Sequence, residues 1–103
     1  MAKYTQLLES LCNDEGLTLK NGNIVHYKTG WQVATKGHRT TSLAVAAATM
    51  LHYKGNCGVW YSNGYYYVDK CQRVNTKKEA LCIGREHHQI SIYGWAKGNL
   101  VYC

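Results

Sequence analysis

The sequence predicts an α+β fold in which an antiparallel sheet of six or seven strands carries helices packed on a face. Three observations lead there. Val59-Trp60-Tyr61-Ser62 and Tyr65-Tyr66-Tyr67-Val68 are two runs of β-formers joined by Asn63-Gly64, the strongest short-range hairpin signal. Segments 34 residues to either side, Val25–Val33 and Tyr93–Val101, fall on the same frame. Helical patterns precede the second and third of these segments, so the chain reads as three α-hairpin units, about 1–35, 36–69 and 70–103. With 103 residues, no proline and no linker-like stretch, the expectation is a single domain spanning 1–103.

The elements follow in order. Tyr4, Leu7, Leu8 and Leu11 stand at helical spacing, predicting an amphipathic helix over residues 3–13 that stops at Gly16. Leu17 to Lys20 alternates, Asn21-Gly22 turns, and residues 23–28 alternate again, which predicts a short extra strand ahead of the first hairpin. Lys36-Gly37-His38-Arg39 reads as a loop, and Thr40-Thr41-Ser42 supplies N-cap side chains for a helix from Leu43 to Tyr53. That helix is apolar or small nearly all round, predicting a central helix buried on more than one side. After the middle hairpin, Lys70 to Val74 reads as a loop, and Thr76-x-x-Glu79 forms a capping box for a helix reaching about Gly84. Residues 89–96 and 99–103 form the last hairpin, turning at Lys97-Gly98. Between residues 25–50 and 59–84, identities fall at Val25/Val59, Tyr27/Tyr61, Gly30/Gly64, Lys36/Lys70, Arg39/Arg73 and Ala46/Ala80. These are strand, turn, cation and small-helix positions, each with a physical role.

Composition narrows the function. The net charge is +6, yet residues 1–15 carry Lys3 against Glu9, Asp14 and Glu15, leaving +8 on the rest. Such an excess attracts polyanions, although solubility alone is the plainer use of it. Five cysteines, an odd number without a Cys-x-x-Cys pair or a signal-peptide pattern, favour reduced thiols and a cytoplasmic location. No run is long enough to cross a bilayer. Nine Tyr and three Trp with no Phe favour an interaction surface, since Tyr and Trp keep a polar edge.

Two candidate surfaces follow. The basic loops Lys36, Arg39, Lys70 and Arg73 lie shortly before helix N-termini, where free N–H groups and cations suit a phosphate or carboxylate; Lys77, Lys78 and Arg85 extend the second patch. Alternation with two-residue turns puts Tyr27, Tyr61, Tyr66, Tyr93, Trp95 and Tyr102 on one sheet face, with Val59, Val68, Gln32 and Leu100. Trp60, Tyr65, Tyr67, Trp31 and Val33 share the other with Ile90, Ile92 and Val101, whose aliphatic bulk marks it as the bed for the helices. The first face is then the open, aromatic one; the alternative assignments reverse the two faces or cover both.

Chemistry is less well represented. His87-His88, Cys82, Cys57 and Cys71 match no standard zinc spacing, no phosphate-cradling motif exists, and no Cys/His nucleophile signature is present. The expectation is no enzyme, no cofactor, no metal and no small-molecule substrate. The Tyr/Val-rich hairpin, the helix opening at Asn75-Thr76-Lys77-Lys78-Glu79-Ala80-Leu81 and the closing strand Gln89-Ile90-Ser91-Ile92-Tyr93 resemble small α+β proteins of phages and mobile elements. Some of those are anti-CRISPR or other antidefence inhibitors. The resemblance implies a host-cytoplasmic protein that binds a nucleoprotein complex without doing chemistry. The alternative is a stand-alone DNA- or RNA-binding module or small regulator.

Overall fold

The computed structural model describes residues 2–53 and 55–103, the side chain of Ala2 excepted. In chain order the elements are α1 (Ala2–Glu9), β1 (Glu15–Lys20), β2 (Asn23–Ile24), β3 (Trp31–Thr40), α2 (Leu43–His52), β4 (Asn56–Ser62), β5 (Tyr65–Val74), α3 (Lys77–Glu86), β6 (Ser91–Gly94) and β7 (Asn99–Tyr102). The strands run β2-β1-β4-β5-β3-β6-β7 in one seven-stranded sheet. The α+β class, the antiparallel sheet and the three helices agree with the sequence.

The three equivalent hairpins do not form. β4 and β5 join through Asn63 (φ 52°) and Gly64 (φ 83°), as expected of Asn-Gly. β6 and β7 also pair, with Tyr93 opposite Leu100 and a four-residue connection in place of two. The first segment is different: β2 pairs with β1 across Asn21-Gly22, and β3 lies between β5 and β6. Residues 25–30 form no strand, and the backbone at both ends of the segment is held by other partners. Val25 N–H donates to the Thr18 carbonyl, and the Gly30 carbonyl accepts from Trp95 N–H. The Thr29 carbonyl accepts from the Arg73 guanidinium.

By their contacts the residues group into two units, Met1–Val25 with Gly37–Lys70 and His26–Lys36 with Cys71–Cys103. In the first, Leu8 of α1 and Ala46, Ala47 and Met50 of α2 cover Leu19, Cys57, Val59 and Val68, with Tyr53 closing the cluster. Fully burying a leucine such as Leu8 contributes about 1.5–3 kcal/mol. α1 ends at Glu9, short of the expected residue 13, because the chain after it grips the β4–β5 turn. Asp14 N–H donates to the Tyr61 carbonyl at 2.7 Å, Asn63 N–H to Asn13 Oδ1 at 2.8 Å and the Ser62 hydroxyl to Asp14 Oδ1 at 2.7 Å. Gly16 is therefore no helix stop but a β1 residue. α2 is capped as expected, Ser42 Oγ accepting from Val45 N–H at 3.2 Å, yet it buries one side only, leaving Val45 and Leu51 exposed.

In the second unit α3 covers Val33, Val74 and Ile92 through Ala80, with Trp31, Leu81, Ile83, Val101 and Cys103 around them. Thr76 caps α3, its Oγ1 accepting from Glu79 N–H at 3.2 Å and donating to Glu79 Oε1 at 2.9 Å. Gly84 is buried here because a Cβ would lie 2.7 Å from Cys103 Sγ and 3.3 Å from Ile92 Cγ2. No described helix is long and apolar enough to cross a membrane.

Candidate binding surfaces

In the second unit the expected bed and aromatic face are both present. Val33 and Ile92 are buried under α3, while register puts Gln32 beside Tyr93 on the other side. Tyr27, Trp95 and Tyr93 come together there: the Tyr27 and Trp95 centroids are 5.4 Å apart and those of Trp95 and Tyr93 5.0 Å, both edge-to-face. The Trp95 indole N–H is buried without a hydrogen-bond partner. Tyr102 stands 74% exposed on β7. Ile90, assigned to the bed, is instead exposed, because it precedes β6 and escapes its alternation.

Arg73 joins this cluster, but as a strut. Its Nε and Nη2 donate to the Thr29 carbonyl at 3.1 and 2.8 Å, Nη2 to Thr29 Oγ1 at 3.2 Å and Nη1 to Asn75 Oδ1 at 3.2 Å. The guanidinium stacks 5.1 Å from the Tyr27 centroid. Gly30 (φ 92°) leaves room for it, since a Cβ there would meet Cζ at 2.7 Å. The cations of this unit that remain exposed are Lys28, Lys36, Lys77, Lys78, Arg85 and Lys97. The unit holds these and Arg73 against Glu79 and Glu86, a net of +5 out of +6 for the chain.

In the first unit the two faces are reversed from expectation. Val59 and Val68 lie under the helices, and Tyr66 packs against their cluster, its ring 4.7 Å from Tyr61. Burial, then the neighbouring Tyr61 and Glu9, push the Tyr66 phenol above its ordinary pKa. The opposite side presents Trp60, 45% exposed, and Tyr65, 37% exposed, with Tyr67 6.3 Å from Tyr65. These side chains, assigned to the bed, are the open aromatics of this unit. The local signal was available: within this hairpin the aliphatic pair is Val59 and Val68, and aliphatic bulk marks the bed.

The cations expected on loops sit on strands, because β3 continues to Thr40 and β5 to Val74. Lys36 and Arg39 belong to β3, Lys70 and Arg73 to β5; only Lys77, Lys78 and Arg85 lie on a helix. Arg39 stacks over Tyr65 at 4.8 Å from the ring centroid. Two further groups are tuned by burial: the Cys57 thiol is pushed up to about 12, and the Asp69 carboxyl above the usual carboxylate range. Cys57 is therefore an inert thiol. Among the described residues, no three His, Cys, Asp or Glu are grouped to hold a metal ion. Compared with protein-family models, curated proteins and solved structures, the chain matches none of them.

Proposed function

We propose that this chain is a non-enzymatic, basic binding protein, of the phage-inhibitor kind, that engages a nucleic-acid-handling complex such as a CRISPR effector. The observation that carries the reading is the concentration of charge: the second unit has a net of +5, and Lys77, Lys78 and Arg85 stand exposed on α3. Exposed cations at this density attract the phosphates of a guide or target strand, or acidic patches on the protein that holds it. The second support is the aromatic surface in the same unit, where Tyr93, Trp95 and the exposed Tyr102 offer rings for a partner. The hairpin–helix resemblance to antidefence proteins directs the reading toward phage inhibition.

The test is affinity capture from a bacterial host, with protein and nucleic acid read in one eluate. The reading expects a nucleoprotein, lost when Lys77, Lys78 and Arg85 are changed together to Glu. Arg73 is kept out of the variant because its guanidinium holds the Thr29–Gly30 turn. A folded triple variant that captures the same complex as the wild type would overturn the reading. Steeply salt-dependent binding to naked duplex, without a protein partner, favours a stand-alone DNA- or RNA-binding module instead.

A further inference from the structure

The first unit carries a surface that the basic patch on α3 does not explain. Trp60 lies on β4 directly opposite Gly16 of β1. A Cβ on Gly16 would come 2.7 Å from Trp60 Cε3 and 3.4 Å from Cζ3, so the indole rests on bare backbone. The glycine seat fixes one side of the ring, while 45% of the residue's surface stays open to solvent. Because Asn63-Gly64 is a two-residue turn, Tyr67 stands opposite Trp60 and Tyr65 opposite Ser62, all on this side of the hairpin. Between Trp60 and Asn56 along β4 stands Gly58, paired with the buried Thr18 of β1.

Cations bound these rings. Arg39 stacks 4.8 Å from the Tyr65 centroid and is exposed. Lys20, also exposed, pairs with Asn56 and so shares the Trp60 side of the sheet, four residues along and about 14 Å away by strand rise. The acids on this side are Asp14 at the turn, whose carboxylate is held by the Ser62 hydroxyl, and Asp69, two residues beyond Tyr67 on β5 and close against Gly37 of β3. Open, seated aromatic rings flanked by cations suit a ligand with flat π-faces and a negative backbone. Duplex DNA keeps its base faces stacked inside the helix and offers this surface only phosphates; an unpaired strand offers both.

We infer that the Trp60–Tyr65–Tyr67 surface, with Arg39 and Lys20, binds single-stranded nucleic acid by stacking unpaired bases. The inference rests on the nucleoprotein reading for its context, but not on the α3 cations.

The probe is a fluorescein-labelled oligo(dT) strand, with a duplex of equal length as comparison, read by anisotropy on the intact chain. Wild type is expected to bind oligo(dT) more tightly than duplex. Replacing Trp60 and Tyr65 together by Ala should lower oligo(dT) affinity on the order of tenfold or more and leave duplex affinity unchanged. Trp60→Phe, which keeps a stacking ring, should retain most of the binding and guards against a misfolded variant. Absence of oligo(dT) binding by wild type, or equal binding by the double variant, would overturn the inference. So would Trp60-dependent binding of a nucleic-acid-free acidic protein in its place. None of these results alters the capture experiment on Lys77, Lys78 and Arg85, so the two readings fail separately.

Discussion

The two units divide apolar bulk and charge unequally. The first encloses nine buried residues, from Leu8 to Val68, between α1, α2 and its strands. Its charges nearly cancel: Lys3, Lys20, Arg39, Lys54 and Lys70 stand against Glu9, Asp14, Glu15 and Asp69. The hydrophobic cluster of the second has four buried members, Val33, Val74, Ala80 and Ile92, yet the unit holds a net of +5. Mutual repulsion among like charges works against a compact state, and a smaller core has less burial to offset it. Positive charge is gathered where it is least helpful to folding, in keeping with the proposed function, whereas an even spread would serve solubility equally well.

Substitutions in each unit test this division. The largest effect is expected at Leu8, fully buried in the first unit: Leu8→Ala should cost about 2–5 kcal/mol in urea denaturation. A loss below about 1 kcal/mol would mean that this core is not what holds the unit. Next comes Arg73→Ala, which removes the donors to Thr29 and Asn75 and should cost about 1.5–3 kcal/mol. By contrast, Lys77→Gln, Lys78→Gln and Arg85→Gln should each stay within about 0.5 kcal/mol of wild type. If Arg73→Ala proves as harmless as these, the distinction between a strut and a binding cation fails. Gly16→Ala should cost about 1–2 kcal/mol, because its Cβ meets the Val59 carbonyl and the Trp60 ring, each at 2.7 Å. Its signature is a shift in tryptophan emission as Trp60 is displaced, and unchanged emission would remove the seat.

The smallest effect concerns pH. Burial raises the Asp69 carboxyl in the folded chain above its ordinary value of 3.8. Between the unfolded and the raised folded value the native state holds more protons than the unfolded one, so this group lowers stability as pH rises through that window. Asp69→Asn should therefore flatten the stability profile there and raise the melting temperature at pH 7 relative to pH 4. The same pH dependence in the variant and wild type would assign the effect elsewhere.

Much of the fold was legible because it depends on short-range chemistry. Asn63-Gly64 turns, Ser42 and Thr76 cap, and of the three aliphatic residues that marked the bed, Ile92 and Val101 lie in the core of the second unit while Ile90 is exposed. What sequence could not supply was non-local pairing. The likeness of residues 25–33 to 59–67 is real in spacing, but β3 takes β5 and β6 as neighbours, and Arg73 holds the Thr29 carbonyl from β5. Carrying one register across all three segments then reversed the faces of the middle hairpin, although Val59 and Val68 held the correct answer locally. The candidate site divides in the same way. Tyr27, Tyr93 and Trp95 do meet, whereas Tyr61 and Tyr66 pass to the helix side and Trp60, Tyr65 and Tyr67 replace them. The role of Arg73 was hidden because its partners, Thr29 and Gly30, lie more than forty residues away.

The proposed function has the exposed cations of the second unit engage a nucleoprotein complex, through its phosphates or the acidic patches beside them. The decisive measurement is the salt dependence of affinity for the captured complex, comparing wild type with the chain bearing Lys77→Gln, Lys78→Gln and Arg85→Gln. The triple variant should bind more weakly, with a log–log salt slope shallower by about 3 if all three cations meet phosphates. An unchanged affinity with an unchanged slope would contradict it.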